Sequence, residues 1–247
     1  MMETMLSTLR SSLPELGVTI PEGADETLCR FGCEVIEQNK VMNLTAITEP
    51  EAVAKLHLLD CLTVLKCADL KGKKLIDVGC GAGFPGVPLK IGCPGLDLTL
   101  LDSLGKRMNW LEATLPRLGV DASYVTARAE EAVADRREQY DFATSRAVAR
   151  LNILLELTAP YVRVGGAVLA MKGAAAREEL AECANAMKKL GLKLEAVKEY
   201  PIDGTNHAVI VLRKVAPTPK QFPRRFAKIK QAPLEATISD WNCRAGL

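Results

Sequence analysis

The sequence predicts an α/β fold: a mostly parallel sheet with crossover helices, preceded by a helical extension and finished by an antiparallel hairpin. Three observations predict it. Apolar side chains recur at helical spacing through residues 1–70, at Leu28, Phe31, Val35 and Ile36, then Val53, Leu56, Leu62 and Leu65. After the turn Lys71-Gly72-Lys73-Lys74 the texture changes to short β-rich runs separated by helical stretches. One of those runs, 74–78, enters a loop with four glycines and then a helix, the layout of a ligand cradle at the carboxyl edge of a parallel sheet.

Strands are expected at 74–78, 97–102, 121–126, 140–145 and 166–171. Between the second and third, Ser103 can cap a helix whose inner face is Met108, Leu111, Leu115 and Leu118, stopped by Pro116 and Gly119. Beyond Gly191 the pattern is strand, the turn Pro201-Ile202-Asp203-Gly204, then strand, a hairpin that brings the sheet to seven strands. From Pro217 prolines and basic residues dominate, as in an arm laid on the surface. The chain thus divides into a helical extension (1–70), a sheet core (71–214) and an arm (215–247).

The 247 residues are 48% hydrophobic, 25% charged and 4% aromatic, which fits a soluble globular protein and excludes collagen-like and disordered classes. No apolar run approaches the roughly 20 residues needed to cross a bilayer. The start, Met1-Met2-Glu3-Thr4-Met5-Leu6, has neither a basic flank nor an apolar stretch, so a cytoplasmic address without membrane contact is expected. Cysteines at 29, 33, 61, 67, 80, 93, 183 and 243 form no Cys-x-x-Cys, and only His57 and His207 could assist them. Neither a metal site nor a disulfide framework is specified, although Cys29 and Cys33, one helical turn apart, leave a redox pair as an alternative. The net charge is +2, but residues 215–247 hold Lys220, Arg224, Arg225, Lys228, Lys230 and Arg244 against Glu235 and Asp240, a local +4 that suits a polyanion.

The loop Gly79-Cys80-Gly81-Ala82-Gly83-Phe84-Pro85-Gly86 satisfies the dinucleotide pattern G-x-G-x-x-G, and Asp102 follows at a suitable distance. Asp77 argues against a dinucleotide, because a carboxylate just before the glycines would face the pyrophosphate. Like charges about 4 Å apart repel by roughly 4 kcal/mol at an effective dielectric of 20. S-adenosylmethionine has no phosphate and carries a sulfonium and an ammonium, for which Asp77 is favourable. Asp102, closing the second strand, can accept from both ribose hydroxyls; Ala129 and Glu130, after the third, can flank an adenine; Phe84 can wall the cofactor; and Gly79, Gly81 and Gly83 let it lie against the main chain.

These residues together resemble the bacterial small-subunit ribosomal RNA guanine-N7 methyltransferases, the RsmG or GidB family. The resemblance runs over most of the chain, through Asn43-Leu44-Thr45-Ala46-Ile47, His57-Leu58-Leu59-Asp60, Asp77-Val78-Gly79 to Gly86, Leu101-Asp102-Ser103 with Lys106-Arg107, Ala129-Glu130 and Ser145-Arg146-Ala147. It implies a Rossmann-like class I methyltransferase with an N-terminal helical extension, S-adenosylmethionine as donor and 16S rRNA of the small ribosomal subunit as acceptor. The family's cofactor contacts fall on Gly79, Phe84, Ala129, Glu130 and Arg146. The chain departs from the family pattern at Leu56 and Cys61, where Arg and Ser are common, and along Gln221–Ile229, which is less broken than usual.

Guanine N7 keeps an in-plane lone pair and loses no proton on methylation, so alignment matters more than a base, and no general base is assigned. Arg146, after the fourth strand, is the leading candidate at the junction of cofactor and base, since it can donate to O6 beside N7. His57 and Asp60, three apart on a helix, either orient an imidazole toward the cleft or tie the helical extension to the sheet. Asn43 and Thr45 stand either at the entrance or in a turn. Lys106, Arg107, Lys172, Arg224, Arg225, Lys228 and Lys230 are candidates for RNA phosphates, with Phe222 and Phe226 for stacking or for anchoring the arm. A monomer is expected. Two alternatives stay open on the residues alone: a nicotinamide-dependent oxidoreductase, and a noncatalytic RNA-binding factor on the same fold.

Overall fold

A computed structural model describes residues 1–235; Asp240, Cys243 and Arg244 lie outside the described residues. Two helices lead: α1 (Met2–Glu15), which buries Met5, Leu9 and Leu13 at four-residue intervals, and α2 (Ala24–Met42), which buries Leu28, Phe31 and Val35. A composite helix follows. Pro50–Val53 (α3) opens it with proline in the first turn, Ala54–Leu59 widens into a π-helical turn, Asp60–Leu62 (α4) returns to α, and Thr63–Lys66 tightens to a 3-10 turn.

The strands alternate with helices from there: β1 (Lys74–Val78), α5 (Gly86–Gly92), β2 (Asp97–Asp102), α6 (Gly105–Thr114), β3 (Ser123–Thr126), α7 (Ala129–Ala132), β4 (Tyr140–Arg146), α8 (Leu151–Thr158), β5 (Val162–Lys172), α9 (Ala176–Ala181), α10 (Ala184–Leu190), β6 (Leu192–Ile202), β7 (Thr205–Lys214) and α11 (Phe226–Gln231). They form a seven-stranded sheet in the order β3-β2-β1-β4-β5-β7-β6. β7 runs antiparallel between β5 and β6, and the remaining pairs are parallel. No described helix is long and apolar enough to cross a membrane.

The pleat sends alternate residues to two cores. Leu75, Leu98 and Leu100 join Met5, Leu28 and Phe31 on one face, so the N-terminal helices share a core with the sheet. Ile76, Val78 and Leu101 join Leu155, Ala186 and the arm residues Phe222 and Leu234 on the other. The arm is therefore docked as well as laid on: Arg137 donates to the carbonyls of Thr218 and Phe222 at 3.4 and 2.5 Å.

Several local expectations are corrected. Ser103 is exposed and caps nothing; Asp102 Oδ1 instead accepts from the Leu104 amide at 2.9 Å, turning the chain into α6. Proline is tolerated at Leu115–Leu118 because the helix tightens there to a 3-10 turn before Gly119. β3 starts at Ser123 rather than 121, and β5 starts at Val162 rather than 166, across an irregular register with β4. Pro201 and Ile202 lie within β6, and the hairpin turns on Asp203 and Gly204, with φ of 50° and 74°. Two positive φ values in a two-residue loop match the right-handed twist of the flanking strands.

Candidate active site

The strand order reverses between β1 and β4, and a cleft of about 480 Å³ opens there at the carboxyl ends of the strands. Gly79, Gly81, Phe84, Asp102, Ala129, Glu130 and Arg146 all line it. So do residues that the sequence alone does not single out: Ala127 and Arg128 after β3 and Val148 after β4; Phe226 of the arm reaches it too. The Phe226 amide donates to Glu130 Oε1 at 3.3 Å, which brings the arm to the cleft wall. Gly83 does not line it. A Cβ there would meet Val87 at 2.7 Å and Leu111 and Phe31 at 3.1 Å, so this glycine closes the loop onto the helices instead of touching a ligand.

Asp77 is a second correction. The pleat places it on the α5 side with Leu75, fully buried, where Oδ2 accepts from the Gly86 amide at 2.8 Å. It is not among the lining residues. Burial pushes its carboxyl up to about 7, while the Gly86 bond pulls the other way, so it braces the loop and is not a full charge facing a ligand. The cleft is lined by Arg107, Arg128 and Arg146 against Asp102 and Glu130, which removes the repulsion argument against a diphosphate. Asp102 does face the cleft. Its Oδ2 accepts from the Gly81 amide and its Oδ1 from Leu104, both at 2.9 Å, which fixes the carboxylate and leaves each oxygen a second lone pair.

Arg146 is the hub of the opposite wall. Nη1 donates to the Leu56 carbonyl at 3.0 Å and to Asp60 Oδ2 at 3.3 Å, and Nη2 donates to His57 Nδ1 at 3.0 Å. Nδ1 also lies 3.1 Å from the Leu56 carbonyl, but a guanidinium can only donate and that carbonyl already accepts from Nη1. The arrangement with Nδ1 accepting places the proton on Nε2, which then donates to Thr45 Oγ1 at 2.7 Å. Burial lowers the His57 pKa to about 4 and the Arg146 cation acts in the same direction, so the ring is neutral. Phe84 packs on this assembly, stacked 4.8 Å from the His57 ring and 4.9 Å beneath the Arg146 guanidinium carbon.

The pairing expected between His57 and Asp60 is replaced, because the π-helical turn changes which side chains share a face. Asp60 instead holds Arg146 and, through Oδ1 at 2.9 Å, His207 on β7, a residue to which the sequence alone assigns no role. Asn43 ends α2 in a left-handed conformation and is exposed; its neighbours Leu44 and Thr45 reach the cleft.

The basic candidates divide. Lys172 donates to the Ala149 carbonyl at 2.6 Å and pairs with Glu179 at 2.8 Å; Arg224 grips the fully buried Glu156 through its backbone amide, Nε and Nη2. Both are corrected from phosphate contacts to internal ion pairs. Phe222 is buried in the core and anchors the arm, so it is not free to stack on a base. Lys106, Arg107, Arg225, Lys228 and Lys230 have no ion-pair partner among the described residues, and all but the half-buried Arg107 are exposed.

The site suits S-adenosylmethionine on its own geometry. Gly81 has φ of 55°, and the nearest atom to a Cβ built there would be Arg107 Nη1 at 3.9 Å, so only glycine leaves this stretch of main chain open to a ligand. Asp102 supplies the acceptors a ribose diol needs, and Val78, Leu101, Ala127 and Leu157 supply apolar walls. Among the described residues, no three His, Cys, Asp or Glu side chains converge as metal ligands. Cys29 and Cys33 are free, and burial raises both thiols, Cys29 to about 12, which disfavours the thiolate a redox pair needs.

Comparison with known proteins agrees with this geometry. A family model described as rRNA small subunit methyltransferase G matches residues 24–207. The ribosomal RNA small subunit methyltransferase G of Alkaliphilus metalliredigens is 41% identical over 92% of this chain and 98% of its own length; that of Caldanaerobacter subterraneus is 43% identical over 95% and 100%. A solved 16S rRNA adenine-N1 methyltransferase from Catenulisporales acidiphilia superposes with a TM-score of 0.50 at 15% identity, covering 63% of this chain and 91% of that one, a likeness of fold alone. The family decides against the oxidoreductase alternative: this chain is a methyltransferase that uses S-adenosylmethionine. It belongs to the rRNA small subunit methyltransferase G family.

Proposed function

We propose that this chain methylates N7 of a guanine in 16S rRNA of the small ribosomal subunit, acting as a cytoplasmic monomer. The observation that carries the acceptor atom is the wiring of His57. This imidazole lines the cleft, yet Nδ1 accepts from Arg146 and Nε2 donates to Thr45, so neither nitrogen is free to remove a proton. An exocyclic amine would have to lose one. Guanine N7 does not: its in-plane lone pair forms the new bond to carbon, and positive charge ends on the base.

S-adenosylmethionine supplies an electrophilic methyl group on a sulfonium. The chain's own residues bind and align. Gly79 and Gly81 offer main chain, Asp102 accepts from the ribose hydroxyls, Ala129 and Glu130 flank the adenine, and Phe84 with Arg146 closes the reacting end. Arg146 donates to guanine O6, adjacent to N7. Lys106, Arg107, Arg225, Lys228 and Lys230 bind RNA phosphates. Incubation with labelled donor and either naked 16S rRNA or unmodified small subunits, followed by mass-spectrometric mapping, tests this reading. A single guanine modified at N7 is expected; modification of an exocyclic amine, of another base, or of neither RNA form overturns it.

A further inference from the structure

A second cavity of about 630 Å³ abuts the cofactor cleft, and His57, Arg146, Ala147 and Val148 line both. A two-substrate transfer needs such a neighbour, because the acceptor must reach the donor across a shared wall. The new cavity is lined by apolar Ile47, Leu56 and Met171 and by polar Asp60, Thr205 and His207, with Arg150 and the internally paired Lys172 and Glu179 also on its wall. Ala147, next to Arg146, holds φ of 57°, a strained setting for a non-glycine residue that occurs where the surrounding structure over-determines it.

Three of these polar residues, Asp60, Thr205 and His207, are joined in a hydrogen-bonded chain. Thr205 Oγ1 donates to the Ile202 carbonyl at 3.0 Å, so it has no proton left for His207 and accepts from Nε2–H at 3.0 Å. His207 Nδ1–H donates to Asp60 Oδ1 at 2.9 Å. The Asp60 bond raises the pKa of the ring, against burial and the Arg146 cation, which lower it. Asp60 Oδ2 in turn holds Arg146 Nη1. Three of the five guanidinium N–H groups are thus engaged, and Nε and one Nη2 proton have no partner among the described residues.

We propose that this second cavity seats the acceptor guanine and that His207 is a positioning residue, which through Asp60 sets Arg146 to donate to O6 while N7 faces the cofactor cleft. The proposal rests on the reading that the acceptor is a guanine of 16S rRNA. A guanine presents two acceptors on this edge, O6 and N7, and a donor bound to N7 would block methylation. A guanidinium locked on three sides meets O6 without being free to drift onto N7.

The test crosses a protein change with a base change. His207→Ala and His207→Asn are compared with the unaltered chain on rRNA carrying guanine, or 2-aminopurine, which lacks O6 and keeps N7, at the methylated position. His207→Ala is expected to lower kcat roughly tenfold while the Kd for S-adenosylmethionine moves less than about twofold. His207→Asn keeps an amide N–H for Asp60 and is expected to recover most of the rate, which also keeps the test readable if the alanine variant does not fold. Loss of O6 is expected to slow the unaltered chain roughly tenfold and to leave His207→Ala no slower than it already is. Additive losses, an unchanged kcat in His207→Ala, or a donor Kd that moves in step with kcat would overturn the seat assigned to the base. Failure of the unaltered chain to methylate any guanine in rRNA would instead sink the acceptor reading itself.

Discussion

The two walls of the cleft are held in different ways. On the loop wall, backbone amides bind carboxylates carried by the adjacent strands β1 and β2: Gly86 to Asp77, Leu104 and Gly81 to Asp102. On the Arg146 wall, side chains from separate segments meet, namely Thr45, His57, Asp60, Arg146 and His207. The loop wall is assembled by the strand ends themselves. The other wall exists only once the helical extension has docked on the sheet, because Leu56, His57 and Asp60 come from the extension and Arg146 from β4. Donor binding and methyl transfer should therefore be separable by mutation.

Arg146→Lys breaks this comparison most sharply. Lysine keeps the charge beside Asp60 but loses the planar fork that meets the Leu56 carbonyl, Asp60 and His57 at once. Methyl transfer is expected to fall by roughly 10²–10³-fold, with the Kd for S-adenosylmethionine moving far less. Single-turnover kinetics beside calorimetry check it, and equal losses in both would erase the distinction between the walls.

One strongly shifted group on each side, His57 and Asp77, titrates between about pH 4 and 7, and these two act on stability in opposite directions. His207, raised by Asp60, adds to the Asp77 direction. His57 binds its proton at about 4 in the folded chain against 6.5 when free, so between those values the unfolded state binds more protons and stability falls as pH drops. Asp77 keeps its proton up to about 7 against 3.8 when free, so across that window stability falls as pH rises. The integrated effects are on the order of 3 kcal/mol for His57 and 4 kcal/mol for Asp77, and they oppose one another between about pH 4 and 6.5. His57→Gln should expose the falling Asp77 slope, and Asp77→Asn the rising His57 slope. Urea unfolding from about pH 4 to 7.5 measures this linkage; curves parallel to that of the unaltered chain would contradict it.

The same contrast explains what the sequence makes legible. The strands, the glycine loop, Asp102 and Ala129-Glu130 declare themselves through strand ends and turn residues, which are local signals. Asp77 is easily misplaced because β1 is buried on both faces, so apolar residues fill both parities and the pattern does not show which way an acid points. Lys172 and Arg224 look like surface charges until Glu179 and Glu156 arrive from other segments, although a glutamate inside the apolar stretch 151–158 is a usable hint that a buried partner exists. His207 lies 147 residues from Asp60, and nothing local marks it. Regular α-helical spacing pairs His57 with Asp60, but the π-helical turn does not follow that spacing.

A smaller effect tests the loop wall alone. Asp102→Asn removes the charge and sets an amide against one of the two N–H groups that the carboxylate satisfied. A loss of about 2 kcal/mol in donor binding is expected, roughly thirtyfold in Kd, with kcat at saturating donor held within about threefold. A fall in kcat instead would mean that Asp102 acts on the transfer step.

The smallest expected effect lies off both walls, on the arm. Arg225, Lys228 and Lys230 are exposed without ion-pair partners among the described residues, whereas Arg224 is spent on Glu156. Replacing the first three by Ser should lower the slope of log affinity against log salt by roughly 0.7 for each phosphate that is no longer neutralised, and leave donor affinity unchanged. Arg224→Ser should do something different: it strands a buried carboxylate, so thermal stability should fall, and any loss of RNA affinity would follow from the arm coming away. Filter binding over a salt series, read beside thermal melts, separates the two. If the triple variant keeps the full slope, the arm does not meet the RNA backbone, and Arg107, which lines the cleft, and the exposed Lys106 next to it in sequence are left to bind the phosphates.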